Sequence, residues 1–168
     1  VIVWDDFLFV GTCFSEDYRN YKTARTNEYA IEILKEYFPK KRIIDLDLKK
    51  NDKVPYQGVL HLDCTFNPIG KDKCIIYKDG FVDESDYQLI IDIFGEENCF
   101  HITPEEMFEM NPNIFSISPE VVVSDETFTR MNDFLRNEWG FTVEEIPYRE
   151  ISKMGGLLRC STMPLVRE

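Results

Sequence analysis

The stretch VIVWDDFLFVG, residues 1–11, places the acidic pair Asp5-Asp6 between two short apolar runs. Such runs on either side of a turn predict a β-hairpin, with strands at residues 1–4 and 7–11. Apolar residues then recur at helical spacing, which predicts a helix over about residues 22–38. Alternating apolar and acidic side chains predict a half-buried strand at residues 43–48. The apolar helix positions are Ala30, Ile33, Leu34 and Tyr37.

The same order of paired strands, helix and strand recurs twice more, at a period of roughly 50 residues. Ser85 and Gln88 predict a capping box at the start of the second helix. A repeat that mixes strands and helices predicts α/β modules packed around an axis, each burying its face on a neighbour. The predicted strands of these two rounds are residues 59–63, 73–77, 99–102, 114–117, 121–123, 141–146 and 157–160. The apolar helix positions are Tyr87, Ile90, Ile91 and Phe94, then Phe128, Met131, Phe134 and Leu135.

The composition is that of a folded, acidic protein. Of the 168 residues, 43% are hydrophobic and 30% are charged, so the chain can build a core and fits one domain. The net charge of −12 argues against binding to nucleic acids or anionic membranes, and it would attract a cationic substrate. No apolar run approaches the ~18 residues of a membrane span, and no signal peptide is predicted.

The five cysteines are widely spaced and include no CxxC pair. An odd number at such spacings is not a disulfide framework, and it predicts a reducing, cytoplasmic location. Two histidines and scattered cysteines give no zinc-type ligand spacing, so we expect neither a metal nor a cofactor. The cysteines that we interpret as structural are Cys13, Cys64, Cys74 and Cys99.

The segment LHLDCTFN, residues 60–67, contains one of only two histidines. In the predicted strand, His61 and Asp63 share one face, opposite the apolar side chains. The imidazole can move protons near neutral pH, while the carboxylate fixes its tautomer or grips a cationic substrate. The alternative is a surface strand with a polar outer face. No acid lies two residues after His101, which we interpret as a structural or surface histidine.

The chain ends in MGGLLRCSTMPLVRE, residues 154–168. Gly155 and Gly156 allow a sharp turn or a close approach of the backbone to a ligand. Cys160 follows them beside Arg159 and two hydroxyl groups, a setting in which the pKa of a thiol falls and a reactive thiolate forms. The alternative is a buried cysteine in a terminal strand, the usual state of a free cysteine.

Together these segments resemble the guanidine-modifying enzymes, which include arginine deiminases, amidinotransferases and dimethylarginine hydrolases. Residues 61–67, HLDCTFN, resemble the HxDxTFN segment in the form that amidinotransferases favour. Residues 159–167, RCSTMPLVR, are similar to the RCxSMPLxR ending of some deiminases. Residues 25–27, RTN, resemble a family motif whose Arg helps to hold the substrate. The resemblance covers most of the chain, in the family's order.

The resemblance implies the pentein fold, an α/β propeller of five ββαβ modules. The three predicted rounds correspond to three of the five modules. On this basis residues 1–168 are expected to form a single catalytic domain, the C-terminal part of a longer pentein domain.

The resemblance also implies a mechanism. Cys160 would attack the guanidinium carbon and form a covalent S-amidino intermediate. Asp63 would bind the guanidinium through paired hydrogen bonds. His61 would donate a proton to the leaving amine and then activate water or an acceptor amine. The other residues expected to contribute to substrate binding are Arg25, Arg159, Gly155 and Gly156.

Several features depart from the family pattern. A second substrate-binding carboxylate is expected in a Gly-Gly-Asp segment just upstream of the strand that begins at Val1, and Asp5-Asp6 is predicted to be a turn instead. Lys153 and Met154 stand where deiminases carry an Arg, and Lys cannot make the same bidentate contact. Arg159 stands where amidinotransferases place His, and the loop at residues 12–24 is longer than expected.

The sequence predicts a cysteine-dependent enzyme that acts on L-arginine or a related guanidine. Residues 61–67 favour amidino transfer slightly over the alternative, an arginine deiminase, which the chain ending favours. A non-catalytic pentein binding module and a cysteine hydrolase of another fold are further alternatives. The expected partner is a small-molecule guanidine, with no nucleic acid and no membrane, and a homo-oligomer is left open.

Overall fold

The computed structural model describes residues 1–15 and 18–163, which form three consecutive units of one design. In each unit an antiparallel hairpin is followed by a helix and by a strand parallel to the hairpin's second strand. The first unit contains β1 (Ile2–Trp4), β2 (Phe7–Thr12), α1 (Glu28–Tyr37) and β3 (Arg42–Asp47). The second contains β4 (Phe66–Ile69), β5 (Lys73–Ile76), α2 (Glu84–Phe94) and β6 (Cys99–His101). After α3 (Pro104–Phe108), the third contains β7 (Phe115–Ser116), β8 (Val121–Asp125), α4 (Thr129–Asn137) and β9 (Thr142–Ile146), and α5 (Arg149–Ser152) and α6 (Leu158–Ser161) follow.

The hairpin predicted at the start of the chain is present, with Ile2 opposite Phe9 and Trp4 opposite Phe7. Its turn places Asp5 at φ 47°, a left-handed conformation that short polar side chains adopt more readily than most. The predicted ββαβ order recurs in all three units, but in the second unit the first strand is Phe66–Ile69 rather than the predicted residues 59–63. The other strands and the long helices of the units each carry their own hydrophobic period.

The predicted helix starts were wrong in two units. Helix α1 begins at Glu28 rather than near residue 22, because the Asn27 side chain accepts a hydrogen bond from Ala30 N–H and caps the helix there. Asp83, which accepts from Ser85 N–H, caps α2 in place of the predicted Ser85–Gln88 box. A capping box does occur, between Thr103 and Glu106 at the start of the unpredicted α3.

Two segments predicted as strands contain short helical turns instead. Residues 59–63 form no strand, and Leu62–Cys64 is a single 3-10 turn that precedes β4. Residues 157–160 were predicted as a terminal strand, but Leu158–Ser161 is the short helix α6. These corrections matter because the two turns carry the predicted catalytic residues.

One continuous apolar core runs through all three units. Phe9 of the first unit meets Phe66 of the second edge to face, with ring centroids 5.0 Å apart, and both are fully buried. Each large apolar side chain buried in this way contributes about 1.5–3 kcal/mol. Backbone contacts join the units as well, since Val82 N–H donates to the Asp47 carbonyl at 2.8 Å. The units therefore hold their turns in fixed relative positions.

Within residues 1–15 and 18–163, no helix combines the length and apolarity needed to cross a bilayer.

Candidate active site

His61, Asp63 and Cys160 meet in one cleft. One donor atom from each lies within 4.8 Å of the other two. Cys160 Sγ lies 3.6 Å from Asp63 Oδ2, although 97 residues separate the two in sequence. The fold thus brings together the three side chains that the sequence nominates as catalytic.

The 3-10 turn at Leu62–Cys64 presents His61 and Asp63 to this cleft. Leu62 and Cys64 point inward and are almost fully buried, while His61 and Asp63 are half-buried. Cys64 N–H donates to the His61 carbonyl at 3.1 Å and closes the turn. The apolar–polar alternation that suggested a strand is therefore real, but a turn produces it.

Cys160 lies on α6, which its neighbours anchor in the core. Leu157 and Leu158 are buried, and Gly155 has φ +85°, a conformation that strongly favours glycine. A Cβ atom at Gly156 would lie 2.9 Å from Cys160 Cβ, too close for any larger residue without a shift. The two glycines thus let the chain fold back so that Cys160 reaches the cleft. A direct role of either glycine in substrate binding stays a prediction.

Cys160 is the exposed cysteine of the chain, and Cys13, Cys64, Cys74 and Cys99 are buried. Burial of the sulfur raises the pKa of Cys160, and the negative charge of Asp63 raises it further. A hydrogen bond from Asn113 opposes both effects. The expected lowering of this pKa was therefore wrong, because the sulfur is partly buried and also faces a carboxylate.

The pKa of His61 is lowered, which favours the neutral form of the imidazole. Partial burial lowers the pKa of His61, Asp63 counteracts this, and the positive charges of Arg25 and Lys50 add to the lowering. Among the described residues, His61 Nε2 and Asp63 Oδ1 are buried without a hydrogen-bond partner. Buried polar atoms are rarely left unpaired, so these two are the atoms a polar ligand would satisfy.

A cavity of about 250 Å³ opens beside His61 and Asp63. Arg25 and Lys50 line it, so it carries both a carboxylate and two cations. Lys50 is half-buried, and its Nζ donates to the carbonyls of Val59 (2.8 Å) and Leu60 (3.1 Å), just before His61. Desolvation by burial lowers the pKa of Lys50. The predicted substrate residue Arg25 therefore shares a cavity with the predicted catalytic pair.

Arg159 does not line this cavity itself, but it contacts Asp63, which does. Its Nη1 donates to Asn67 Oδ1 at 3.0 Å, and its Nε lies 3.8 Å from Asp63 Oδ2. It lines a second cavity of about 610 Å³, which shares Asp63 with the first. Its expected role in substrate binding stays a prediction, and its observed contacts orient Asp63.

Two buried asparagines in the site were not nominated from the sequence. Asn67 Nδ2 donates to the carbonyls of Pro112 (2.6 Å) and Ile114 (3.1 Å). Asn113, between them, donates to Cys160 Sγ at 3.2 Å. The only sequence signal was the TFN segment that contains Asn67, because contacts 45 to 47 residues apart leave no local pattern.

The remaining candidates do not line the first cavity, although Asp5 lines the second one with Asp63 and Arg159. Asp5-Asp6 forms the β1–β2 turn, and Lys153 pairs with the exposed Glu150 at 2.6 Å. His101 lies 3.0 Å from Glu96, also away from the cleft. Residues 164–167, which complete the RCxSMPLxR resemblance, lie outside the described residues.

The donor atoms of His61, Asp63 and Cys160 are close enough together to share a metal ion. Because the same atoms form the candidate catalytic set, the expectation of no metal site stays a prediction.

The fold of the chain is similar to that of solved structures. The product-bound N-terminal domain of ArgZ, an arginine dihydrolase from the ornithine-ammonia cycle in cyanobacteria, superposes with a TM-score of 0.76 at 19% identity, covering 96% of this chain and 52% of that one. SxtG, an amidinotransferase from Microseira wollei, gives a TM-score of 0.66 at 19% identity, covering 85% of this chain and 42% of that one. The predicted pentein fold is confirmed, and the chain is a member of the guanidine-modifying pentein superfamily.

Sequence comparison identifies the protein family to which the chain belongs. The sequence model of the arginine deiminase family matches residues 80–167, more than half of the chain. The chain therefore belongs to the arginine deiminase family. The uncharacterized protein YkgA of Bacillus subtilis (strain 168) is 29% identical over 168 residues, which are 99% of this chain and 51% of YkgA. Nearly all of this chain aligns with YkgA and with the ArgZ domain, but it spans only about half the length of each.

Proposed function

We propose that this chain carries the catalytic residues of an enzyme that acts on the guanidinium group of L-arginine or a close relative, with Cys160 as nucleophile. The carrying observation is the convergence of His61, Asp63 and Cys160 within 4.8 Å. Membership of the arginine deiminase family supports the same substrate class.

Asp63 is the proposed guanidinium ligand. Its Oδ1 is buried and has no hydrogen-bond partner among the described residues, so a planar guanidinium N–H can satisfy it. Oδ2 already faces Cys160 Sγ at 3.6 Å, which sets the guanidinium carbon near the sulfur. Binding a cation here also offsets the negative charge that raises the pKa of Cys160, so substrate binding promotes the thiolate.

The first half-reaction begins from a neutral thiol and a neutral imidazole, as the directions of both pKa shifts favour. His61 takes the proton of Cys160, and the thiolate attacks the guanidinium carbon to form a C–S bond. The C–N bond to the leaving amine then breaks, and the imidazolium returns the proton to that nitrogen. In hydrolysis to citrulline the leaving amine is ammonia, and the N-substituted amidino group of the former arginine remains on Cys160. In amidino transfer ornithine leaves instead, and the unsubstituted amidino group remains on Cys160.

The second half-reaction regenerates the thiol. His61 removes a proton from the attacking nucleophile, which bonds to the amidino carbon as the C–S bond breaks. The sulfur leaves with the bonding electron pair and recovers its proton from the imidazolium. Two moderate barriers replace the single high barrier of direct attack on a resonance-stabilised cation.

Hydrolysis, with water as the nucleophile, is the reaction we favour, because the family match is to arginine deiminases. This reverses the slight preference for transfer drawn from residues 61–67. Amidino transfer to an amine remains the second candidate, since the segment HLDCTFN has the form that amidinotransferases favour.

The test is to incubate the protein with L-arginine, with and without glycine, and to follow the products by mass spectrometry. Citrulline without added amine is the expected result. Ornithine that appears only with glycine, beside an amidinated glycine, would establish transfer and overturn hydrolysis. Neither product from arginine or its close relatives would overturn guanidine chemistry and favour a binding module.

A matched pair of variants assigns the nucleophile. Cys160→Ala should abolish turnover, since no other exposed thiol is present among the described residues. Cys13→Ala removes a buried thiol outside the cleft and should retain activity. Unchanged turnover in Cys160→Ala would refute the mechanism.

A further inference from the structure

Asn113 makes the densest set of hydrogen bonds around the candidate nucleophile. Its side chain is fully buried. Its Oδ1 accepts from Leu157 N–H and Cys160 N–H, both at 3.2 Å, and its Nδ2 donates to Cys160 Sγ at 3.2 Å. The Asn113 carbonyl also accepts from Arg159 N–H at 3.2 Å. One residue therefore holds both the backbone that carries Cys160 and the sulfur itself.

The orientation of the Asn113 amide follows from its partners. Oxygen and nitrogen of an amide are distinguished by the hydrogen-bond network. Two backbone N–H groups, which can only donate, meet one end of the amide, so that end is the oxygen. The NH₂ group must then face Cys160 Sγ, and it is a donor to the sulfur.

Asn67 fixes Asn113 in turn. Its NH₂ group donates to the carbonyls of Pro112 and Ile114, the residues on either side of Asn113. Its Oδ1 accepts from Arg159, the residue before Cys160. Asn67 is only 1% exposed. The segment that carries the candidate acid–base pair is thus tied to the segment that carries the nucleophile through two buried amides.

We propose that Asn113, held in place by Asn67, positions Cys160 and stabilises its thiolate by donating a hydrogen bond to the sulfur. This assignment rests on the proposed function of Cys160 as nucleophile. A donor at 3.2 Å strengthens when the sulfur becomes an anion, since hydrogen bonds to charged groups are worth more than neutral ones. The pKa shift agrees, because this hydrogen bond lowers the pKa of Cys160 against burial and Asp63.

The variant Asn113→Asp separates donation from positioning. A carboxylate keeps the acceptor for Leu157 N–H and Cys160 N–H, but it replaces the donor at the sulfur with a negative oxygen. The rate of Cys160 alkylation by iodoacetamide, followed against pH, reports thiolate formation without any substrate. We expect its midpoint to rise by about one to two pH units, and the rate at pH 7 to fall about 10- to 100-fold.

Asn137→Asp is the matched control, because it adds the same charge at an exposed position on α4. Its alkylation profile should match that of the parent protein. Mass spectrometry confirms that Cys160 is the modified residue, and thermal unfolding confirms that each variant folds. An unchanged alkylation midpoint in a folded Asn113→Asp protein would overturn the assignment.

A second measurement needs no change at Asn113. The side-chain NH₂ resonances of Asn113, followed by NMR in the parent protein, should shift as Cys160 ionises, with the same midpoint as alkylation. The shift should disappear in Cys160→Ser. An Asn113 amide that is insensitive to this ionisation would overturn the assignment even if Asn113→Asp does not fold.

These readouts also separate the two proposals. If no guanidine is turned over but the alkylation midpoint rises in Asn113→Asp, the proposed reaction fails and the role of Asn113 stands. The opposite result is also possible. If arginine is turned over but Asn113→Asp leaves the alkylation midpoint unchanged and the Asn113 amide resonance does not respond to ionisation of Cys160, the reaction stands and the role of Asn113 fails.

Discussion

The two sides of the cleft are built differently. The nucleophile side, formed by Asn67, Asn113 and α6, is fixed by buried amides that bond to backbone groups. The substrate side, formed by Thr23, Arg25 and Lys50, lies largely on a loop whose Arg25 is exposed. Asp52, itself exposed, accepts from Lys22 N–H and Thr23 Oγ and ties this loop down from outside.

The difference separates the chemistry from substrate selection. A nucleophile must be held to within a fraction of an ångström, which buried hydrogen bonds on packed elements achieve. A substrate-binding loop tolerates sequence change, since loops carry most specificity differences on a common scaffold. Changes on the nucleophile side should therefore cost stability or the chemical step, and changes on the substrate side should alter KM.

The largest expected effect is on the nucleophile side. Asn67→Ala removes both donors to the carbonyls of Pro112 and Ile114 and the acceptor for Arg159. We expect the free energy of unfolding to fall by about 2–4 kcal/mol, because buried polar groups lose their partners. Urea unfolding followed by tryptophan fluorescence measures the change. The control is Asn137→Ala, on the exposed end of α4, whose free energy of unfolding should stay within about 0.5 kcal/mol of the parent value. An equally small loss in Asn67→Ala would contradict the contrast between the two sides of the cleft.

The next effect tests the substrate side at Arg25. Because Arg25 lines the cavity that holds His61 and Asp63, Arg25→Ala should raise KM for arginine about 10- to 100-fold while kcat changes little. Arg25→Lys should recover part of the loss, since it retains the charge without the bidentate geometry. Steady-state kinetics separates KM from kcat. Arg136→Ala is the control, because it removes an exposed guanidinium on α4. If Arg25→Ala instead lowers kcat at constant KM, Arg25 takes part in the chemical step and not in substrate binding.

Lys50 belongs to the substrate side but also acts on the candidate acid–base residue His61, so its expected effect is intermediate. Its positive charge disfavours a proton on His61, and the other charged side chains that act on His61 are Asp63 and Arg25. Removing that charge in Lys50→Met should therefore raise the pKa of His61 and move the acid limb of kcat/KM to higher pH, by about 0.5–1 pH unit.

An NMR titration can follow His61 directly, since the chain has two histidines. Lys49→Met is the matched control, because Lys49 is exposed and does not line the cavity. A pKa of His61 that stays fixed in Lys50→Met would mean that Lys50 acts only through its bonds to the Val59 and Leu60 carbonyls.

The same two sides show what the sequence could and could not predict. The ββαβ order was predictable because each strand and long helix has its own hydrophobic period. The segment around His61 alternates buried and half-buried side chains as a strand does, so its polar face was predicted correctly and its backbone wrongly. A single 3-10 turn is too short for periodicity to distinguish it from a strand.

Contacts between distant segments explain the rest. Asn113 reaches Cys160 across 47 residues, and nothing in its local sequence marks it as a partner of a nucleophile. The pKa direction of Cys160 was predicted wrongly for the same reason. The Arg beside Cys160 was visible in the sequence, but the burial of the sulfur and the carboxylate 97 residues away were not. Residue types and motifs indicate which side chains are candidates for catalysis, but the packing of distant segments determines which charged groups surround each of them.

The smallest expected effect is at Asp52, outside the cavity. Asp52→Asn keeps the size of the side chain but removes its charge and one of its two accepting oxygens, so the side chain can no longer accept from both Lys22 N–H and Thr23 Oγ. The loop that carries Thr23 and Arg25 then loses an anchor, and KM should rise about two- to fivefold at unchanged kcat. The hydrogen bond from Lys22 N–H lowers the pKa of Asp52, so the anchor persists at neutral pH and is lost only as pH falls through this lowered pKa.

Asp79→Asn is the matched control, because it removes the same charge from an exposed turn away from the loop. A selective rise in KM for Asp52→Asn would show that the substrate side is adjustable from its surface. A fall in kcat would instead mean that the loop also orders the chemical step, and the division of the cleft into a fixed and an adjustable side would fail. Asp52 does not line the cavity itself, so either result is transmitted through Thr23, which does line it, or through the charge of Asp52 acting on Lys50.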